Sequence, residues 1–102
     1  MRTPKISELE SLIFAAELSE DTLSLDLHGM DAHTALHELE GFIQKAFMAG
    51  DRVIEVIHGR GDILIPLVKK VFEENEIVEY ARGAEQPGKA GGAMYAVIAP
   101  KE

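Results

Sequence analysis

Alternating and periodic hydrophobic positions divide most of the chain into four predicted strands. Residues 22–27 alternate apolar and polar side chains with a period of two, which predicts a strand buried on one face. Residues 53–57 are rich in β-branched side chains, which predicts a second strand. Residues 77–82 and 93–99 give the third and fourth strands, and a loop rich in glycine joins them.

Two amphipathic helices are predicted between the first three strands. The first follows Asp31, a favourable N-cap residue, and its apolar side chains recur at i, i+3, i+4 and i+7 until Gly50. The second begins near residues 63–66, because Pro66 is tolerated only in a first helical turn. We expect this helix to end near Asn75.

The order of elements, β-α-β-α-β-β, predicts a two-layer α/β sandwich with a mixed four-stranded sheet. Short β-α-β crossovers are right-handed, so both helices are expected on one face of the sheet and the other face is expected to be open. Ser24, Asp26 and Glu55 fall on the side predicted to be open, which agrees with a polar surface there. The first two strands should be parallel, and the last should be antiparallel to its neighbour.

Residues 1–21 are expected to form an N-terminal helical arm, separate from a main domain over residues 22–102. The arm has apolar residues at near-helical spacing with acidic residues on its other sides. Three roles stay open for it: packing on the open sheet face, holding a protein partner, or partial disorder.

Composition narrows the functional classes. A chain of 102 residues has room for one core, and without cysteine it has neither disulfides nor a thiol nucleophile. No apolar run is long enough for a membrane span, and nothing marks the chain as secreted, so a cytoplasmic location is expected.

The net charge of −8 argues against nucleic-acid binding driven by bulk charge. The acidity is concentrated early, however, since residues 1–51 carry ten acidic residues and three basic ones. Any nucleic acid would therefore bind a small local site in the more balanced second half.

The candidate chemistry lies in two loops that each place a His-Gly pair between a parallel strand and a helix. Residues 25–29 read LDLHG and residues 58–61 read HGRG. Ligands of open α/β sheets bind outside the carboxyl ends of the strands. Gly59 and Gly61 allow close approach of the backbone, and the following helix N-terminus with Arg60 would attract a phosphate.

Proton transfer to or from a phosphodiester is predicted for His28 and His58, whose side-chain type titrates near neutrality. Asp26 would orient an imidazole, hold an imidazolium, or contribute an oxygen ligand to Mg²⁺ or Mn²⁺, and no organic cofactor is expected. The alternative is that each His-Gly pair only ends its strand. Tyr80 and Tyr95 are candidates for stacking on a base.

These two motifs, separated by one amphipathic helix, resemble the Smr (small MutS-related) domain with its LDxHG and HGxG signatures. The resemblance covers residues 22–99 and includes a glycine-rich stretch at residues 88–93, which departs from a GGxG pattern at Ala90 or Ala93. It implies a fold like the C-terminal domain of a bacterial translation initiation factor, with sheet order one, two, four, three. It also implies endonuclease activity, as nicking of DNA or cleavage of RNA.

The resemblance carries site roles to individual positions of this chain. The roles in proton transfer or metal ligation fall on Asp26 and His28 of LDxHG and on His58 of HGxG. The remaining residues are predicted to bind phosphate or nucleic acid, and they are Gly29, Gly59, Arg60, Gly61, Lys89, Gly91 and Gly92. The glycine-rich loop is equally compatible with a mobile hairpin connection.

The predicted function is therefore an Smr-type nucleic-acid endonuclease, acting on DNA or structured RNA by phosphodiester hydrolysis. The alternative is a nucleic-acid or ribosome binding module of the same fold without catalysis. A third hypothesis is a protein-interaction domain that uses the arm and the open face of the sheet.

Overall fold

The computed structural model describes residues 5–101, so the first four residues of the predicted arm and Glu102 lie outside it. Its elements are α1 (Ile6–Glu17), β1 (Leu23–Asp26), α2 (Ala32–Ala49), β2 (Val53–Ile57), α3 (Leu64–Glu74), β3 (Val78–Gly83) and β4 (Ala93–Ile98). The predicted order of helices and strands is confirmed. None of the helices in the described part of the chain has the length and apolar character needed to cross a bilayer.

The four strands form one mixed sheet in the order β1-β2-β4-β3, which confirms the order implied by the resemblance. β1 and β2 are parallel, and β4 runs antiparallel to both of its neighbours. Helices α2 and α3 pack on one face, where the larger of the two buried apolar clusters of residues 5–101 forms. Its fully buried members are Leu27, Ala35, Leu39, Ile43, Ala46, Ile54, Val56, Val68, Ala96 and Ile98.

Capping fixes the boundaries of α2, the helix between the two motif loops. The Asp31 carboxylate accepts the N–H of Thr34 at 2.8 Å, which satisfies one of the free amides of the first turn. At the other end Gly50 takes a left-handed conformation, with φ of 84°. Both ends agree with the sequence prediction because they depend on local contacts alone.

The second face of the sheet differs from the prediction of an open, polar surface, because α1 packs across it. Leu9 and Ile13 of α1 are buried against Tyr95 and Val97 of β4, and Glu55 is also buried. Packing of the arm on the sheet was one of the three roles left open. The physical reason is that β2 and β4 present apolar side chains on both faces, and these need cover.

Polar contacts complement this apolar packing of α1. Arg82 of β3 pairs with Glu10 at 2.7 Å and with Glu17 at 3.1 Å, and the Tyr80 hydroxyl donates to Glu10 at 2.6 Å. Tyr95 lies in the core with its hydroxyl directed to Glu55. Stacking of a base on Tyr95 is therefore wrong as a prediction, because its side chain is buried. Tyr80 is partly exposed, so stacking on its ring stays a prediction.

Acidification is expected to loosen the docking of α1. Bonds from Tyr80 and Arg82 lower the pKa of Glu10. Burial raises the pKa of Glu17, but the bonds that its carboxylate accepts outweigh this and lower it from 4.5. Carboxyls with a lowered folded-state pKa stabilise the fold above their unfolded pKa, and this contribution is lost as pH falls through the folded-state value.

Thermal unfolding followed by circular dichroism between about pH 7 and pH 3 checks this expectation. The melting temperature should fall more steeply below about pH 4.5 in the parent protein than in a Glu10→Gln/Glu17→Gln double variant. Equal slopes in the two proteins would show that these carboxyls do not set the acid limit.

Candidate functional site

His28 stands just beyond β1 and is paired with Asp26, the last residue of that strand. The Asp26 Oδ1 atom accepts the backbone N–H of His28 at 3.0 Å and lies 2.6 Å from its Nδ1. These two bonds lower the pKa of the Asp26 carboxyl, so it is ionised at neutral pH. The His28 side chain is 68% exposed, which leaves it open to a ligand.

This pairing decides which nitrogen of His28 can take part in chemistry. An ionised carboxylate can only accept, so Nδ1 carries the hydrogen of that bond. In the neutral imidazole Nε2 is then the basic nitrogen, while Asp26 lies close enough to stabilise the imidazolium that forms on protonation. The geometry suits a general base.

His58 has a different environment, at the end of β2. The residue is only 4% exposed, and its Nδ1 lies 2.6 Å from the carbonyl oxygen of Gly59, to which it donates. The backbone N–H groups of His58 and Gly59 both donate to the Gly92 carbonyl at 3.0 Å. His58 therefore helps to shape the HGRG turn, and Nε2 is its remaining nitrogen for a ligand.

A cavity of about 350 Å³ lies between the two motif loops and is lined by residues 28–30 and 58–64. It includes the start of α3, where Ile63 occupies the N-cap position without a side-chain cap bond. The first amides of α3 are thus available to an acceptor, and the positive end of the helix dipole lies beside the cavity. These amides and Arg60 favour an anion, and Asp62 is the carboxylate among the lining residues.

Arg60 joins this cavity to the glycine-rich loop. Its Nη2 donates to the carbonyl of Ala90 at 3.0 Å. A Cβ atom at Gly92 would lie about 3.5 Å from the guanidinium, an ordinary van der Waals distance, so Arg60 packs directly against this glycine. The structure therefore brings Gly91 and Gly92 to the HGRG turn, as the sequence prediction requires of a shared site.

Lys89, in contrast, points toward the sheet. Its ammonium group lies 2.9 Å from the carboxylate of Glu55, which is buried on β2. The bond to Glu55 raises the pKa of Lys89 and keeps it charged. In this arrangement the ammonium neutralises a buried carboxylate, so phosphate binding by Lys89 stays a prediction.

A model of the Smr domain matches residues 25–99, which includes both motif loops and the glycine-rich loop. The chain belongs to the Smr domain family. Its sequence is 41% identical over 76 residues to the endonuclease MutS2 of Aquifex aeolicus, and 37% identical over 70 residues to that of Halothermothrix orenii. These matches cover 74% and 67% of this chain but 10% and 9% of the relatives, so the chain spans about a tenth of their length.

Solved Smr structures share the fold. The Smr domain of Thermus thermophilus MutS2 superposes with a TM-score of 0.74 at 21% identity, covering 78% of this chain and all of that one. The stand-alone small MutS-related protein YdaL of Escherichia coli superposes with a TM-score of 0.78 at 21% identity, covering 97% of this chain and 77% of YdaL. At this level of identity the likeness establishes the architecture.

Among residues 5–101, no three His, Cys, Asp or Glu side chains converge in a way that could hold an ion. Asp26 is the nearest acidic group to His28, and its Oδ1 is engaged by His28. The residues present fit a cation that is bound by one carboxylate together with substrate phosphate, as Mg²⁺ often is.

Two features of the Smr site were missed by the sequence analysis. The Gly92 carbonyl, which receives two amides of the HGRG turn, is a backbone group and has no sequence signal. Glu55 did have one, because a charged residue between apolar β-branched neighbours on a central strand needs a partner.

Gly59 should tolerate substitution less well than Gly61 in the same turn. Gly59 has φ of 74°, and a Cβ atom there would lie 3.2 Å from Cβ of His28, whereas Gly61 has neither constraint. Gly59→Ala should reduce the free energy of unfolding by about 1–2 kcal/mol, because an L side chain is strained in the left-handed region. Gly61→Ala should stay within about 0.5 kcal/mol of the parent protein. Urea unfolding compares the two, and equal losses would contradict this account of the turn.

Proposed function

We propose that this Smr protein is an endonuclease that cleaves phosphodiester bonds in DNA or structured RNA. The observation that carries the proposal is the exposed His28, oriented by an ionised Asp26 at the edge of a cavity that favours an anion. A phosphodiester needs both functions at once, a group that moves a proton and donors that stabilise the phosphate charge. The names of the MutS2 relatives, which describe endonucleases, support the same class of activity.

In the proposed mechanism the phosphate binds at residues 59–61 and at the first amides of α3, with Arg60 adding positive charge. His28 Nε2 accepts the proton of the attacking water or hydroxyl, and the new P–O bond forms as the scissile P–O bond breaks. Asp26 stabilises the resulting imidazolium. The leaving oxygen takes a proton from Nε2 of protonated His58 or from water.

Divalent cations enter this proposal as helpers. Mg²⁺ or Mn²⁺ would be held by the free oxygen of Asp26 together with the substrate phosphate. Its contribution would be neutralisation of phosphate charge. The chain itself orients His28 and supplies the amides that surround the phosphate.

A non-catalytic nucleic-acid or ribosome binding module is the second candidate. Two observations favour it: His58 is buried, and the basic side chains Arg52, Arg82 and Lys89 are paired with carboxylates. Proton transfer then depends on a single exposed histidine at the cavity, and the paired bases limit attraction of the nucleic-acid backbone.

Cleavage assays separate the two candidates. Purified protein is incubated with supercoiled plasmid and with a structured RNA, in Mg²⁺, Mn²⁺ or EDTA, beside the variants His28→Ala, Asp26→Asn and His58→Ala. An endonuclease should cleave at least one substrate, and His28→Ala should bind it without cleaving it. Binding without cleavage by the parent protein supports the module, and equal cleavage by every variant points to a contaminating nuclease.

The dependence of affinity on salt concentration is a control for the binding measurement. Phosphate contacts release counterions, so affinity must fall as salt concentration rises. Binding that is insensitive to salt would exclude both nucleic-acid candidates.

A further inference from the structure

The carboxylate of Glu17, at the end of α1, is buried and directed away from its own helix. Its side chain is 5% exposed. Oε2 accepts the backbone N–H groups of Glu85 at 2.7 Å and Gln86 at 2.9 Å, while Arg82 reaches Oε1 at 3.1 Å. A buried, ionised carboxylate thus fixes the start of the segment between β3 and β4, residues 84–92, here called the β3–β4 loop.

Backbone bonds continue from that anchored start to the HGRG turn. The Gln86 carbonyl accepts the N–H of Lys89 at 3.1 Å, and the Lys89 carbonyl accepts that of Gly92 at 2.9 Å. The Gly92 carbonyl in turn accepts the N–H groups of residues 58 and 59, both at 3.0 Å. Glu17 is therefore connected to the turn beside His28 by a continuous series of hydrogen bonds.

Two further side chains hold the β3–β4 loop, one from the sheet and one from the HGRG turn. Glu55 pairs with Lys89 at 2.9 Å, and Arg60 donates to Ala90 at 3.0 Å. With Glu17 these contacts restrain the loop near its start and in its second half. Groups outside the loop therefore hold it in place, and removal of one of them should weaken the contacts that the others make with the loop.

We propose that Glu17 is a positioning residue of the candidate site, acting through the β3–β4 loop. By fixing Glu85 and Gln86 it holds the Gly92 carbonyl where that oxygen orders the amides of the HGRG turn. The proposal rests on the proposed function and deepens it, since it makes α1, which lies outside the matched residues 25–99, part of the functional unit. Small displacements of binding groups lower reactivity strongly, so such positioning matters to the phosphate.

Amide hydrogen exchange tests this connection without any need for nuclease activity. Glu10 is the matched control, because it also lies on α1 and pairs with Arg82, but its other partner is Tyr80 and not the loop. In Glu17→Ala, exchange at residues 85 and 86 and at residues 58 and 59 should become about tenfold faster, and in Glu10→Ala it should stay within about twofold of the parent protein. Faster exchange confined to residues 85 and 86, or equal changes in both variants, would overturn the proposal.

Kinetics of cleavage supply the second readout. Glu17→Ala should raise KM for the cleaved nucleic acid about tenfold and change kcat less than about twofold, because it displaces phosphate-binding amides and leaves His28 in place. Glu17→Gln keeps an acceptor oxygen and should restore most of the loss. A parental KM in Glu17→Ala overturns the positioning role, whereas an inactive parent protein overturns the proposed function and leaves the exchange comparison decisive.

A folding defect in Glu17→Ala is handled with a milder pair of variants. Glu17→Asp keeps the charge but withdraws the carboxylate by one methylene, and Glu10→Asp does the same at the control position. The same contrast in exchange at residues 58 and 59 is expected between these two variants, and its absence would overturn the proposal.

Discussion

Replacement of His28 by alanine is expected to reduce the rate of phosphodiester cleavage by about 10²–10⁴-fold, the usual contribution of a general base. His28 is largely exposed and makes its side-chain bond to Asp26 alone among the described residues, so the substitution should leave the fold intact. Affinity for the nucleic acid should change little, because the amides of the HGRG turn and of α3 remain. Single-turnover cleavage and binding, measured at the same salt concentration, check both expectations.

Two further variants make this result specific. Asp26→Asn removes the charge that stabilises the imidazolium and the acceptor that fixes the hydrogen on Nδ1, so it should cost up to about 10⁴-fold in rate, comparable to loss of the base itself. His37→Ala changes an exposed histidine on α2 and should cleave like the parent protein. Equal rates for His28→Ala and His37→Ala would remove His28 from the mechanism.

Arg82→Met should be the most destabilising substitution of a charged residue in the described chain. The guanidinium is 12% exposed and pairs with Glu10 and with the buried Glu17. Without this guanidinium the buried Glu17 carboxylate has no opposite charge beside it among the described residues. Removal of one partner from a buried ion pair lowers the free energy of unfolding by about 3–5 kcal/mol. In a domain of this size we expect the melting temperature to fall by more than about 10 °C.

Arg52→Met is the control for this result. Arg52 also pairs with a glutamate, Glu79 at 3.3 Å, but its side chain is 38% exposed. A partly exposed pair contributes about 0–1 kcal/mol, and the bond that Arg52 Nε donates to the Ile98 carbonyl at 2.8 Å adds about 1 kcal/mol, so this variant should lose less than about 2 kcal/mol. A similar loss in Arg52→Met and Arg82→Met would show that burial of Glu17 does not matter.

The boundaries of the elements were predictable because local chemistry sets them. Asp31 and Gly50 cap α2 by contacts within a few residues, and Pro66 restricts where α3 can begin. The meeting of the two motif loops was predictable as well, since β1 and β2 are parallel neighbours and their carboxyl ends share one edge.

The hydrophobic pattern of α1 shows that one side of the helix needs an apolar surface to pack on, but it does not predict which surface that is. The evidence for the packing surface is in the strands of the sheet. Val53 and Ile57 flank Glu55 on the second face, and every residue of β4 is buried. An unbroken apolar strand indicates cover on both faces, and α1 is the element that supplies it.

The partners of charged residues were the least predictable part of the site. Lys89 is predicted to bind phosphate, and in the structure it pairs with Glu55, 34 positions earlier in the chain. Pairings of this kind depend on how the sheet brings distant segments together. Sequence spacing does not predict such pairings. A lysine that binds phosphate and a lysine that pairs with a buried carboxylate are therefore distinguished only once the fold is known.

The central position of β4 has a consequence for synthesis on the ribosome. β4 follows the other three strands in the chain, yet it lies between β2 and β3, which have no contact through the sheet until it is inserted. Pairing between distant segments is a slow step of folding. Gly92, which immediately precedes β4, supplies its carbonyl to the HGRG turn in the same event. A nascent chain that ends before β4 should therefore carry both motif loops and still lack an ordered site, so that the fold and the candidate site are completed together.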